Sequence, residues 1–482
     1  MVFSSLIFLF MFLPLVLLGY FGLLRKCSLK VKNRFLLLAS LFFYGWGEPV
    51  YVFLMIGCIF YNYLFGRWAD LARRSSNRKS GHIAIVLMLI CNLSILGVFK
   101  YTDFVLSNLN TIFGLSLPLP EIVLPIGISF FIFQGISYVI DVYRGNGQAQ
   151  KNPLDVGLYI AFFPQLIAGP IVRYNTIAKE IKNRRENADD FADGISIFVI
   201  GLAKKAIIAN NIAIVADKAF ALSPTSELSV AMAWLGAIAY TLQIYFDFGG
   251  YSDMAIGLGR MFGFHFLANF NFPYISRSVS EFWRRWHISL GSWFRDYVYF
   301  PLGGSRVGKL RLVFNLLVVW FLTGLWHGAN WTFICWGLFY FFWIALEKIT
   351  GLGKKMERTP VVSTVFVMFL VVLGWVMFRA ETMTQALQYM AAMFNGYGTG
   401  LWDANAQMYL HDYKWFFIFG IICALPVKNW CLQAFKRNKA LTDGQYAKIL
   451  QIIGIICLAV LLVVATAFLA KGSYNPFIYF NF

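Results

Sequence analysis

The stretch Leu312-Val313-Phe314-Asn315-Leu316-Leu317-Val318-Val319-Trp320-Phe321-Leu322-Thr323-Gly324-Leu325, followed by Trp326-His327-Gly328-Ala329-Asn330-Trp331, decides the fold. A second apolar run, Thr332 to Leu346, follows, and neither run holds a charged residue before Glu347. The pair reads as a hairpin of membrane helices with one histidine near its turn. An imidazole at membrane depth is costly unless it is paired or used, which makes His327 a functional candidate. The competing reading is a histidine that bonds a neighbouring helix for packing alone. Gly324, Gly328 and Ala329 are small enough for a backbone or a ligand to come close. Asn330 can satisfy backbone groups freed at the turn.

Composition generalises the hairpin to the whole chain. Of 482 residues, 59% are hydrophobic and 13% are charged, whereas a soluble domain has about a quarter charged residues. The chain therefore reads as an all-α polytopic membrane protein, in a single transmembrane domain over residues 1–482. Its net charge of +18 does not point to nucleic acid, because the basic residues gather in short loops between apolar runs. Seven clusters (25–34, 67–80, 144–153, 173–190, 260–311, 348–358 and 428–448) hold 34 of the 41 Lys and Arg. All seven are assigned to the cytoplasm, beside anionic headgroups of the lipid bilayer. The seven cysteines are scattered, with no pairing or metal-ligand spacing, so neither a disulfide framework nor a metal site is expected. Residues 1–24 lack a basic leader region and a small-residue cleavage site, so they read as a retained first helix.

With the termini outside, apolar length gives about 12 crossings. The expected helices lie near 3–24, 35–46, 50–66, 82–100, 121–142, 194–217, 230–248, 360–379, 413–427 and 449–470, besides the two around His327. Segment 154–172 is interrupted by Pro164, Gly169 and Pro170 and is expected to be re-entrant. Segment 380–412 is expected as an extracytoplasmic loop that carries an interfacial helix, and 471–482 as an extracytoplasmic aromatic tail. Lys204 and Lys205 fit a spanning helix poorly and are expected either to snorkel or to face a polar interior.

Segment 260–311 is too polar to span and too aromatic for a free loop, so it reads as a cytoplasmic-side amphipathic or re-entrant element. Ser278-Val279-Ser280-Glu281 is a capping box. The helix that follows would carry an apolar stripe of Phe282, Trp286, Leu290 and Trp293. Another face would join Ser280, Arg284, His287 and Gly291, suited either to a phosphorylated ligand or to the inner leaflet. Other chemistries find no support. Gly351-Leu352-Gly353-Lys354 is too short for a phosphate loop, and Gly257-Leu258-Gly259 lacks the third glycine of a dinucleotide site. Gly250-Tyr251-Ser252-Asp253-Met254 lacks the last glycine of a nucleophile elbow. Cys335 sits in an apolar run where its thiol is inert.

The blocks Ser280-Glu281-Phe282-Trp283-Arg284-Arg285-Trp286-His287-Ile288-Ser289-Leu290, Trp293-Phe294-Arg295-Asp296-Tyr297, Pro301-Leu302-Gly303-Gly304-Ser305 and Trp326-His327-Gly328 occur in order. Together they resemble the membrane-bound O-acyltransferase (MBOAT) superfamily, in the bacterial branch that O-acetylates alginate and peptidoglycan. Phe246-Asp247-Phe248-Gly249-Gly250-Tyr251-Ser252-Asp253 and Phe163-Pro164-Gln165-Leu166-Ile167-Ala168-Gly169-Pro170 are similar to further blocks of that branch. The resemblance implies helices around a central tunnel in a multi-pass protein of the bacterial inner membrane. It also implies that His327 is the catalytic base and that His287 lies on the cytoplasmic approach, with Trp283 and Arg284 on the donor side.

The implied reaction moves an acetyl group from a cytoplasmic thioester, acetyl-CoA as co-substrate with no bound cofactor, to an extracytoplasmic polysaccharide. Asn330, Asp247 and Tyr251 are the candidates for orienting the His327 ring. In the last six residues, 477–482, Tyr479 is the one phenol beside Phe477, Phe480 and Phe482, and related systems imply an acyl relay there, handing on to an extracytoplasmic SGNH-type transferase. An interfacial aromatic anchor explains the tail equally well. Transfer of D-alanyl or another acyl group, a small-solute transporter with a histidine in its path, and a structural scaffold are the competing functions.

Overall fold

A computed structural model describes residues 1–223, 227–395, 400–427, 444–472 and 474–478. Among these, all regular structure is helical, and seven helices are long and apolar enough to cross a membrane. The chain divides into two compact units, Met1–Phe198 with Met254–Leu267, and Val199–Asp253 with Ala268–Phe482.

The first unit begins with α1 (Phe8–Leu23), α2 (Leu29–Gly45), α3 (Tyr51–Arg74) and α4 (Arg78–Phe113). Helix α2 starts well before the expected residue 35 because its basic first turns have partners. Lys32 pairs with Glu186 at 2.5 Å, and Asn33 donates to the Ile181 carbonyl at 2.8 Å. Helix α4 runs past Lys100 and stops only where Gly114 takes φ 63°, a left-handed conformation that favours glycine. Pro118, Pro120 and Pro125 keep the next residues out of the helix, so α5 spans Ile128–Arg144 rather than starting near 121.

The interrupted segment forms two short helices, α6 (Pro153–Ala161) and α7 (Phe163–Leu166). Every residue from Val156 to Val172 is buried, so its irregular backbone is wrapped in protein, as irregular backbone at membrane depth requires. A Cβ on Gly169 would stand 2.8 Å from the Pro164 carbonyl oxygen, which is why a side chain does not fit at this bend. Helix α8 (Tyr174–Asn183) follows, and α9 (Ala188–Leu222) begins in this unit.

The second unit holds the rest of α9 and most of α10 (Val230–Met261), then α11 (Val279–Arg285) and α12 (Ile288–Phe294). Next come the hairpin α13 (Lys309–His327) and α14 (Trp331–Thr350), the single-turn α15 (Leu352–Met356) and α16 (Pro360–Arg379). Helices α17 (Met383–Asn395), α18 (Ala404–Ala424) and α19 (Gly444–Lys471) complete it. Helices α13 and α14 touch through glycine: a Cβ on Gly337 would clash with the Trp320 carbonyl and stand 3.2 Å from the Gly324 Cα. Much of the expected outer loop is helical. Asp403 caps α18 by accepting the Ala406 N–H at 2.8 Å, and His411 and Asp412 sit on its exposed side instead of ending a loop.

Candidate active site

Helix α11 is held at its start by two carboxylates and a hydroxyl. Ser278 Oγ accepts the Glu281 N–H at 3.0 Å, while Glu281 returns a bond to the N–H of Arg277 at 2.8 Å, one residue before the cap. Desolvation would raise the Glu281 carboxyl, but the Arg277 amide and the Arg285 guanidinium outweigh it and hold it below its usual range. Glu347, from α14, accepts the N–H groups of Val279 and Ser280 at 2.6 and 2.8 Å. A buried carboxylate there meets the positive end of the helix and satisfies donors with no intrahelical partner. Glu347 stood in the sequence only as the charge that ended an apolar run.

The expected continuous helix after Ser278 does not form. Trp286 is extended, and His287 takes φ 45°, ψ 51°, so α11 and α12 are separate. The four stripe residues Phe282, Trp286, Leu290 and Trp293 are nonetheless all buried. The face joining Ser280, Arg284, His287 and Gly291 is lost: Arg284 is exposed and His287 is buried. Asn269 stabilises the left-handed turn. Its carbonyl oxygen accepts the Ile288 N–H at 2.9 Å, and its Oδ1 accepts the N–H and the hydroxyl of Ser289 at 3.1 and 2.9 Å.

The same Oδ1 lies 3.2 Å from His287 Nδ1, while Asn269 Nδ2 donates to Ser252 Oγ at 3.1 Å. With Oδ1 an acceptor throughout, Nδ1 carries the hydrogen and Nε2 the lone pair. Burial pushes the His287 imidazole down to about 3, so it is neutral at physiological pH. Nothing in the sequence singled out Asn269, one of two asparagines in the aromatic run 262–272.

His327 ends α13. Its ring meets Trp336 and Phe378 edge-on at 5.0 and 5.1 Å between centroids. Both histidines line one slot of about 10 Å³, with Phe248, Trp286, Trp375 and Ile478 among its walls. That is about the volume one water requires. His287 is thus not remote from His327. Phe378 and Ile478 also line a second cavity of about 470 Å³, within the range of small-ligand sites. Its polar wall comes from Asp217, Gln243, Asn330, Thr332, Arg379 and Glu381.

The remaining expected site residues are placed as follows. Asn330 accepts the Thr332 N–H at 3.0 Å, capping α14, and donates to the Glu381 carbonyl at 2.8 Å. Asp247 forms a buried ion pair with Lys205 and accepts the Ile478 N–H at 2.8 Å. The Tyr251 ring packs on Phe477, 4.7 Å between centroids. Trp283 meets Trp320 and Tyr340 edge-on at 4.8 and 4.9 Å, within an aromatic cluster. Tyr479 lies outside the described residues. Among the described residues, no group of three or more His, Cys, Asp or Glu is arranged to hold a metal ion.

Residues 150–378 match the family model of the MBOAT, membrane-bound O-acyltransferase family. The chain is 42% identical to the probable alginate O-acetylase AlgI of Pseudomonas putida, with all of both chains covered. The chain belongs to the membrane-bound O-acyltransferase family. It is also 34% identical to the peptidoglycan O-acetyltransferase of Helicobacter pylori, over 100% of this chain and 98% of that one. The teichoic acid D-alanyltransferase of Bacillus subtilis is 33% identical over 45% of this chain and 56% of its own length. This O-acyltransferase is a multi-pass membrane protein, and its family match takes in both histidines of the slot.

Proposed function

We propose that the protein moves an acetyl group from cytoplasmic acetyl-CoA, across the bacterial inner membrane, for O-acetylation of an extracytoplasmic polysaccharide. The observation that carries this reading is the shared slot: two histidines from different elements face one aromatic-walled space too small for bulk water. The alginate and peptidoglycan relatives align over the whole chain, the D-alanyl relative over less than half of it; this favours acetyl over D-alanyl.

In this reading His327 is the general base. Its imidazole takes the proton of the acceptor hydroxyl as that oxygen attacks the thioester carbonyl. The tetrahedral intermediate collapses, the C–S bond breaks, and the proton passes to the thiolate to give CoA and an oxygen ester. Such base assistance is worth about 10²–10⁴ in rate. His287, held neutral by burial, accepts a hydrogen bond at Nε2 that orients the reacting group. Tyr479, one peptide bond beyond a residue that lines the slot, receives the acetyl group as a phenyl ester. An extracytoplasmic SGNH-type partner then carries it to the polymer hydroxyl. The polar 470 Å³ cavity serves as the chamber on the acceptor side.

The test is incubation of the purified protein with acetyl-CoA labelled in the acetyl group, with mass-spectrometric mapping of bound label in wild type and His327→Ala. Label on Tyr479 that vanishes in the variant supports base and relay together. Label that survives in His327→Ala overturns the role of the histidine. CoA release without label on Tyr479 overturns the relay and keeps the acyltransferase.

A further inference from the structure

Lys205 and Asp247 form an ion pair in which each side chain is all but completely buried. Such a pair is costly in desolvation unless its remaining hydrogen-bonding capacity is met. Here it is met by residues 476–478. Lys205 Nζ donates to the Pro476 carbonyl at 2.7 Å, and Asp247 Oδ2 accepts the Ile478 N–H at 2.8 Å. The cation thus reads a main-chain acceptor and the anion a main-chain donor two residues further on.

Between those groups stands Phe477, buried, with its ring on Tyr251 and 5.2 Å from Lys205 Nζ. Two outer ties continue the seat. Asn210 Nδ2 donates to Asn475 Oδ1 at 3.2 Å, and Tyr474 donates its hydroxyl hydrogen to Asp217. Residues 474–477 are not helical, so the main chain is open to these bonds. Proline lacks an N–H, so a tail slid by two residues would present Pro476 to Asp247 with nothing to donate.

We infer that Lys205 and Asp247 are a main-chain clamp: positioning residues that seat the segment 474–478 by its Pro476 carbonyl and Ile478 amide, and so hold Ile478 in the wall of the histidine slot. The clamp is a property of residues 474–478. Its effect on acyl transfer rests on the Tyr479 reading above.

The test is residue-resolved hydrogen exchange at the Ile478 amide in the full-length protein in lipid nanodiscs. Amides in the middle of α18 serve as the internal standard. In wild type the Ile478 amide is protected. Asp247→Ala and Lys205→Met lower that protection by about ten-fold or more, the scale of a lost hydrogen bond to a charged group, while the α18 amides hold. Phe477→Ala makes the same test from the tail side, where the helix core is untouched. Unchanged Ile478 exchange in a folded Asp247→Ala or in Phe477→Ala overturns the clamp. Loss of protection with acetyl label at Tyr479 undiminished keeps the clamp and the relay and overturns the clamp's effect on acyl transfer. Loss of both supports the two together.

Discussion

Asn269 holds His287 by its Nδ1 at 3.2 Å from the other side of a left-handed turn, and the same oxygen ties down Ser289. One amide therefore fixes the tautomer, the ring plane and the backbone of a buried histidine. Replacing Asn269 with Ala removes all three restraints. Acetyl transfer is expected to fall about 10²-fold, the scale of an ångström of misplacement, with little change in the apparent affinity for acetyl-CoA. Initial-rate kinetics on the purified variant check this.

The pH dependence follows from the same contact. Burial keeps His287 neutral down to about pH 3, so its protonation contributes no loss of rate between pH 8 and 5. Asn269→Asp places a carboxylate beside Nδ1, which favours the imidazolium and raises its titration point. An acid limb in the rate profile is expected to move upward in that variant. For stability, the unfolded chain protonates this histidine below its ordinary value of about 6.5 while the folded chain does not. Its contribution therefore declines as pH falls from about 6.5 toward about 3 and is constant above that window. Denaturation of wild type and His287→Gln at stepped pH separates this term.

Glu347→Gln keeps the shape of the side chain and removes the charge at the start of α11. It is expected to cost about 1–2 kcal/mol, the range for a charge at a partly buried helix end, read as a lower Tm. Since α11 leads into the His287 turn, the rate should fall with it.

Gly337→Ala directs a methyl group at the Trp320 carbonyl, which is backbone and cannot rotate away. Overpacking of this kind costs about 1–3 kcal/mol. Helices α13 and α14 would be forced apart beside His327. A lower Tm and a lower rate in the same variant are expected.

Phe378→Ala opens the wall shared by the slot and the larger cavity. Water gains entry, so CoA release without transfer is expected to rise relative to acetyl label on protein. The truncation also costs about 3–5 kcal/mol of packing, measured separately by thermal unfolding.

Much of this architecture is legible in the order of apolar runs, punctuators and charges. The hairpin around His327 and the interrupted segment 154–172 can both be read, since glycine, proline and helix length carry their own physics. Helix ends are less legible where a charge has a distant partner. The helix expected to end near 248 continues as α10 to Met261, where Asp247 and Asp253 have Lys205 and Lys204 as partners. The break at His287 has no local signal, since no glycine, proline or asparagine marks it. Its causes, Asn269 and Ser252, are remote in sequence. Glu347 likewise lies 68 and 67 positions from Val279 and Ser280 in the chain, and no pattern in a single sequence links them.

The slot between the histidines has room for about one water molecule. Protons cross membrane proteins along files of water or along titratable side chains, and a space of this size, walled largely by indole and phenyl rings, has no room for a file of waters. In the proposed reaction, the two histidines therefore exchange protons with the reactants and not with bulk water.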